Sequence, residues 1–109
     1  MTVDAREENG KLILSLDETR LDASIAVEFR NNLFQRIDAG HGRIVLDMGN
    51  VEFVDSSGLG ALVSALKKIG SQGELTICNL NPAVFTVFKM TRLNKVFNIF
   101  DSAGEAIAA

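Results

Sequence analysis

Residues suited to covalent or metal chemistry are scarce in this chain. Cysteine occurs once, at Cys78, and histidine once, at His41. A single thiol forms no disulfide within the chain, which fits a reducing compartment, and it builds no thiolate metal cluster. His and acidic residues do not cluster at ligand spacing either, so no metal and no cofactor is expected. Lys and Arg number 11 against 14 Asp and Glu, giving a formal net charge of −3. The clustered positive charge that binds nucleic-acid phosphates is therefore missing. Proline also occurs once, and the composition is not that of a disordered chain. No apolar run approaches membrane-spanning length, and the opening MTVDAREENGK is polar and acidic rather than signal-like. These absences predict a soluble, cytoplasmic protein without membrane insertion.

What is present suits one folded unit. A chain of 109 residues with 47% hydrophobic content fits a single domain over 1–109 with an ample core. Its centre is Arg43 to Lys68, RIVLDMGNVEFVDSSGLGALVSALKK. Ile44, Val45 and Leu46 form the apolar, largely β-branched run of a strand covered on both faces. Leu59, Leu62, Val63, Leu66 and Ile69 recur at helical spacing. Between strand and helix lies Asp55-Ser56-Ser57-Gly58-Leu59-Gly60. Asp and Ser cap the free N–H groups of a first helical turn. Gly58 and Gly60 leave backbone bare, so that a partner or a phosphate can come close. Ser56 or Ser57 should then stand where unpaired amides and the helix dipole favour added negative charge.

Around this centre, Val3 to Arg6 reads as a short edge strand turned at Asn9-Gly10. Leu12, Leu14 and Leu16 mark the second strand, and Asp17 to Asp22 a loop. Ala26, Phe29, Leu33 and Ile37 define a helix ended at Gly40. Asp22, before Ala23-Ser24-Ile25, has the position of an N-cap for it. Leu75 to Leu80 reads as a buried strand, with Cys78 an inert thiol within it. Asn81-Pro82 gives a cap and a first-turn proline for a third helix. Val96 to Phe100 is a last strand or extended segment, and Ser102 to Glu105 has capping-box spacing for a terminal helix. Strand and helix alternate after the hairpin. That pattern predicts an α/β domain with a mixed, mainly parallel sheet, an N-terminal hairpin and about four packed helices.

The stretch VEFVDSSGLGALV resembles the signature of the STAS-domain anti-sigma factor antagonists. Leu21-Asp22-Ala23 is similar to that family's early Leu-Asp motif. Phe88-Lys89-Met90-Thr91-Arg92-Leu93, followed by Val96-Phe97-Asn98-Ile99, is similar to its C-terminal pattern. One departure is Glu18-Thr19-Arg20, where the family commonly has a glycine before the Leu-Asp pair. The resemblance implies a STAS fold and a binding module switched by phosphorylation. It implies that Ser56, directly after Asp55, is the phosphorylated serine, with Ser57 a lesser candidate. Asp55 would orient the Ser56 hydroxyl or meet the kinase, or cap the helix, or both. Asp22 would lie near the serine at the same end of the sheet. Gly58 belongs to the same supporting group.

The implied partners are an anti-sigma factor, often a serine kinase of the GHKL type, and a serine phosphatase that restores the unphosphorylated form. That form would capture the anti-sigma factor and release a sigma factor. The alternative is a constitutive structural or accessory subunit of a stress-sensing or lipid-transport complex. A hydrolase reading fares worse. His41 precedes the N-terminal end of the central strand, whereas ligand sites of such sheets lie beyond the C-terminal ends. G-x-S-x-G and the Walker loop are both absent. No enzyme is expected.

Overall fold

Leu12, Leu14 and Leu16 alternate along one strand and all turn into the core, which fixes the register of the opening hairpin. The computed structural model describes all residues, 1–109. In it β1 (Val3–Glu8) pairs antiparallel with β2 (Lys11–Leu16), Val3 opposite Leu16 and Glu8 opposite Lys11. Asn9 and Gly10 take φ of 53° and 74°, the left-handed pair that suits a two-residue hairpin. β1 therefore runs past Arg6, the limit expected from sequence, because Glu7 and Glu8 carry the ladder up to the turn.

Beyond the hairpin come β3 (Arg20–Leu21), α1 (Ala26–Asp38), β4 (Arg43–Asp47), β5 (Phe53–Val54) and α2 (Ser56–Ile69). They are followed by β6 (Glu74–Cys78), α3 (Pro82–Met90), a 3-10 turn at Leu93–Lys95, β7 (Asn98–Phe100) and α4 (Ala103–Ala108). The five-stranded sheet has the order β1-β2-β4-β6-β7, parallel except at the hairpin. This is the mixed, mainly parallel α/β fold expected. β3 and β5 form a separate parallel pair, Arg20 opposite Phe53 and Leu21 opposite Val54. That pair lies where only loop was expected.

The two faces of the sheet are unequally covered. On one face Leu14, Leu46 and Ile77 meet Phe29, Leu33, Leu62 and Phe88 from α1, α2 and α3 in a core of 22 buried residues. The Phe88 and Phe97 rings meet edge to face at 6.1 Å within it. On the other face Ile13, Val45 and Cys78 are sealed by Ala106 of α4, with Ala103, Ile107 and Phe100 packed half-buried around them. Lys11 is buried at that seam, and its Nζ donates to the carbonyls of Ala106 (3.0 Å) and Ala109 (2.6 Å). A cation at a helix C-terminus is favoured by the dipole as well as by those bonds.

Three further boundaries and one cap differ from expectation, each for a local reason. α1 opens at Ala26, with Ile25 before it and no side-chain cap. The N–H groups of Ile25 and Ala26 first turn back onto the carbonyl of Asp22, at 3.1 and 2.9 Å. Asp22 thus starts a turn and is not the helix cap. β6 stops at Cys78 rather than Leu80 because Asn79 adopts φ 62°. Asn81 precedes α3 without capping it, since its amide donates instead to the carbonyls of Gly49 and Val51. Val96 and Phe97 are held in the 3-10 turn by the Leu93 carbonyl, so β7 begins only at Asn98.

Candidate functional site

Asp55 organises the start of α2. Its backbone is extended, its Oδ1 accepts from the N–H of Gly58 at 2.9 Å, and its carbonyl accepts from Leu59 at 3.0 Å. Those are the bonds of an N-cap. Its other oxygen, Oδ2, accepts from the N–H of Ala23 at 3.1 Å, while its own N–H donates to the carbonyl of Leu21 at 3.3 Å. Asp55 therefore caps a helix and ties the Leu21–Ala23 segment to it. Both carboxylate oxygens are engaged by backbone amides, and the Ser56 hydroxyl is not among their partners.

Ser56 is the first residue of α2 and is exposed, as is Ser57. Their N–H groups precede the first amide that Asp55 satisfies, so they point positive charge at solvent. The two serines differ in surroundings. Ser57 lines a groove of about 250 Å³ between α1 and α2, with Ala26, Val27, Arg30, Gly60 and Ser64. Ser56 stands outside that groove. The structure brings the candidate serines, Asp55 and the Asp22 segment together at one end of the molecule.

Gly58 turns out to serve the fold. It is buried, and a Cβ there would stand 2.3 Å from the carbonyl oxygen of Leu21 and 2.9 Å from its Cγ. The chain itself makes the close approach that the sequence suggested for a partner. Gly60, exposed with nothing within 4 Å of a Cβ, keeps its backbone bare.

Asp22 is held in a small polar cluster. Its Oδ1 accepts from the N–H and hydroxyl of Ser24, and its Oδ2 from Nε of Arg20 at 3.1 Å. The Ser24 hydroxyl first, then Arg20, hold the carboxyl below the ordinary aspartate value of 3.8. Arg20 also lies over the ring of Phe53, 4.1 Å from guanidinium carbon to ring centre. Arg20 and Phe53 escaped sequence reasoning. The signal was the β3–β5 pairing, which sets them directly opposite each other, and a two-residue strand has no periodicity to show. The Glu18-Thr19-Arg20 segment needs no glycine, because none of the three has positive φ and the Thr19 carbonyl accepts from Glu52 and Phe53.

Two exposed apolar side chains flank this end, Val27 at 60% and Phe53 at 41% exposure. His41 lies on the connection into the N-terminal end of β4, with its Nδ1 3.7 Å from Glu7, and takes no part in the site. No group of His, Cys, Asp and Glu is placed to hold a metal ion. No helix is long and apolar enough to cross a membrane.

A serine beginning the helix after the central strand, tied through an aspartate to a Leu-Asp segment, sits in a fold with known relatives. The chain belongs to the STAS domain family, whose profile matches residues 2–106. Among individual proteins it is 31% identical over 102 residues to BtrV of Bordetella bronchiseptica, a protein assigned to the anti-sigma factor antagonists. That match covers 93% of this chain and 87% of BtrV. A Thermotoga maritima protein with the same assignment, solved by crystallography, superposes with a TM-score of 0.86 at 27% identity, covering 97% of this chain and 92% of that one. The anti-sigma factor antagonist SpoIIAA of Bacillus, solved in unphosphorylated and phosphorylated forms, shares the fold with TM-scores of 0.71 and 0.73 at 19% and 20% identity. These cover 95% and 98% of this chain and 92% and 97% of SpoIIAA.

Proposed function

We propose that residues 1–109 form a single, non-catalytic binding module of the cytoplasm, an anti-sigma factor antagonist switched off by phosphorylation of Ser56. In the unphosphorylated form it captures an anti-sigma factor and so releases a sigma factor. That anti-sigma factor is a serine kinase of the GHKL type, and a serine phosphatase reverses its action. The observation that carries this reading is Ser56 itself, exposed at a helix start and flanked by an aspartate fully engaged with backbone. The likeness to BtrV supports it.

A phosphate on Ser56 brings roughly −1.5 to −2 charge to a helix N-terminus, where negative charge gains about 0.3–1 kcal/mol. Asp55 and Asp22 oppose that gain, and Arg20 offsets part of Asp22. The fold is therefore expected to tolerate the phosphate. A partner built around a hydroxyl, seated over Val27 and Phe53, would have to desolvate it. Each 1.4 kcal/mol so lost weakens binding about tenfold.

The test is incubation with ATP and the cognate kinase, read by site-localised mass spectrometry on wild type, Ser56→Ala and Ser57→Ala. Phosphate should vanish only in Ser56→Ala. Full phosphorylation of Ser56→Ala would refute the assignment.

A further inference from the structure

The β7 edge of the sheet carries a second set of features that share no residue with the Asp22 and Asp55–Gly58 cluster. β7 is an edge strand. The Phe100 carbonyl accepts from the Asn79 N–H at 3.2 Å, which fixes the alternation of the parallel ladder. Asn98 and Phe100 thus turn their backbone groups to β6, and Ile99 turns its N–H and C=O away from the sheet. Beside this edge lies a cavity of about 410 Å³ between β7, the start of α3 and the 3-10 turn. Leu80, Phe85, Ile99 and Phe100 give it an apolar wall, and Asn94 and Asp101 its polar lining.

Charge around this groove is mainly positive, Asp101 being the one acid in its lining. From Leu75 to Phe100 the chain carries Lys89, Arg92 and Lys95 and no acid, although the net charge of the protein is −3. None of the three is in an ion pair. Lys89 Nζ sits 5.3 Å from the ring centre of Phe85, a wall of the cavity, and Lys95 directly follows Asn94. Met90 and Val96, next to these cations in the chain, are 79% and 54% exposed. An apolar slot beside unpaired backbone groups, with unpaired Lys89 and Lys95 next to its lining residues, has a definite complement.

We infer that the groove between α3 and β7 receives an extended acidic peptide segment of a partner protein. The segment adds a strand at Ile99, buries one apolar side chain in the cavity and sets its carboxylates against Lys89, Arg92 and Lys95. Main-chain bonds give such a peptide its register, and the pocket and the charges give selectivity. Short edge strands ordinarily discourage pairing. Here the three-residue strand allows few main-chain bonds, so the apolar anchor and the carboxylates decide binding.

The test begins with the full chain panned against phage-displayed random heptapeptides, and the enriched peptide is then titrated into the ¹⁵N-labelled protein. Enriched sequences should place Asp or Glu beside one apolar residue, and amide shifts should centre on Phe85, Asn94, Ile99 and Phe100. The exposed pair Lys89→Glu with Lys95→Glu should weaken binding at least tenfold, and N-methylation of the peptide amide facing Ile99 should do the same. Ser56→Ala should bind unchanged. No enrichment, enrichment without acids, or shifts mapping elsewhere would overturn the inference. So would shifts at β7 that grow with protein concentration in the absence of peptide, which would mark a second copy as the occupant.

Discussion

The start of α2 and the seam beneath α4 both bring polar groups to the end of a helix, and they use them in opposite ways. At α4, Lys11 is buried and satisfies the last carbonyls, sealing Cys78 and its apolar neighbours from water. At α2, Asp55 satisfies the interior amides and leaves Ser56 and Ser57 exposed in front of it. The first arrangement closes a helix end and the second keeps one open on a fixed frame. Exposure of a reactive group on tied-down backbone is what a modifiable site requires, and the closed end has none.

Changes to the frame itself should do the most damage. Gly58→Val forces side-chain atoms into the Leu21 carbonyl, where even a Cβ stands at 2.3 Å. The expected loss is about 3 kcal/mol, the upper end for overpacking, measured by denaturant unfolding. A loss below about 0.5 kcal/mol would show that the α2–Leu21 contact is loose. Lys11→Met should cost about 1–3 kcal/mol by leaving the Ala106 and Ala109 carbonyls unpaired. It should also speed the reaction of Cys78 with a thiol reagent. Burial first, and the charge of Asp47 second, push that thiol up to about 11. In the wild type it is therefore protonated and slow near neutral pH. Reaction of the native wild type at the denatured rate would contradict the sealed seam.

For the cap and the polar cluster at the open end the effects are smaller. Asp55→Ala removes a cap and the tie to Ala23, for an expected 1–2 kcal/mol, about the upper range for caps. Smaller still is the pH dependence of Asp22. Its folded pKa is depressed, so its contribution is present above the unfolded value and is lost only as pH falls through the lower folded one. An NMR titration of its carboxyl carbon should show a midpoint below 3.8. A midpoint above it would mean that the bonds to Ser24 and Arg20 do not persist in solution.

The open end was more legible in the sequence than the closed one. Asp55 followed by two serines and an apolar stripe announces a capped helix, because caps are local chemistry. The parallel order of buried strands followed from Ile44–Leu46 and Leu75–Ile77 alternating with helices. Lys11 gave no signal, since its partners lie 95 and 98 residues away in sequence. Gly58 was misread as open to a partner for the same reason, because Leu21 reaches it across the fold. The β3–β5 pair was too short to show a period. Local bonds were readable, and long-range contacts were not.

The contrast between the two helix ends rests on the claim that Ser56 accepts charge without disturbing the frame behind it. The direct measurement is thermal melting and calorimetric titration against the anti-sigma partner, on unmodified and Ser56-phosphorylated protein. The account predicts stabilities within about 1 kcal/mol of each other, because the dipole gain and the carboxylate repulsion largely cancel. Binding should fall at least tenfold. A phosphoprotein that unfolds many degrees earlier, or that binds its partner equally well, would contradict it.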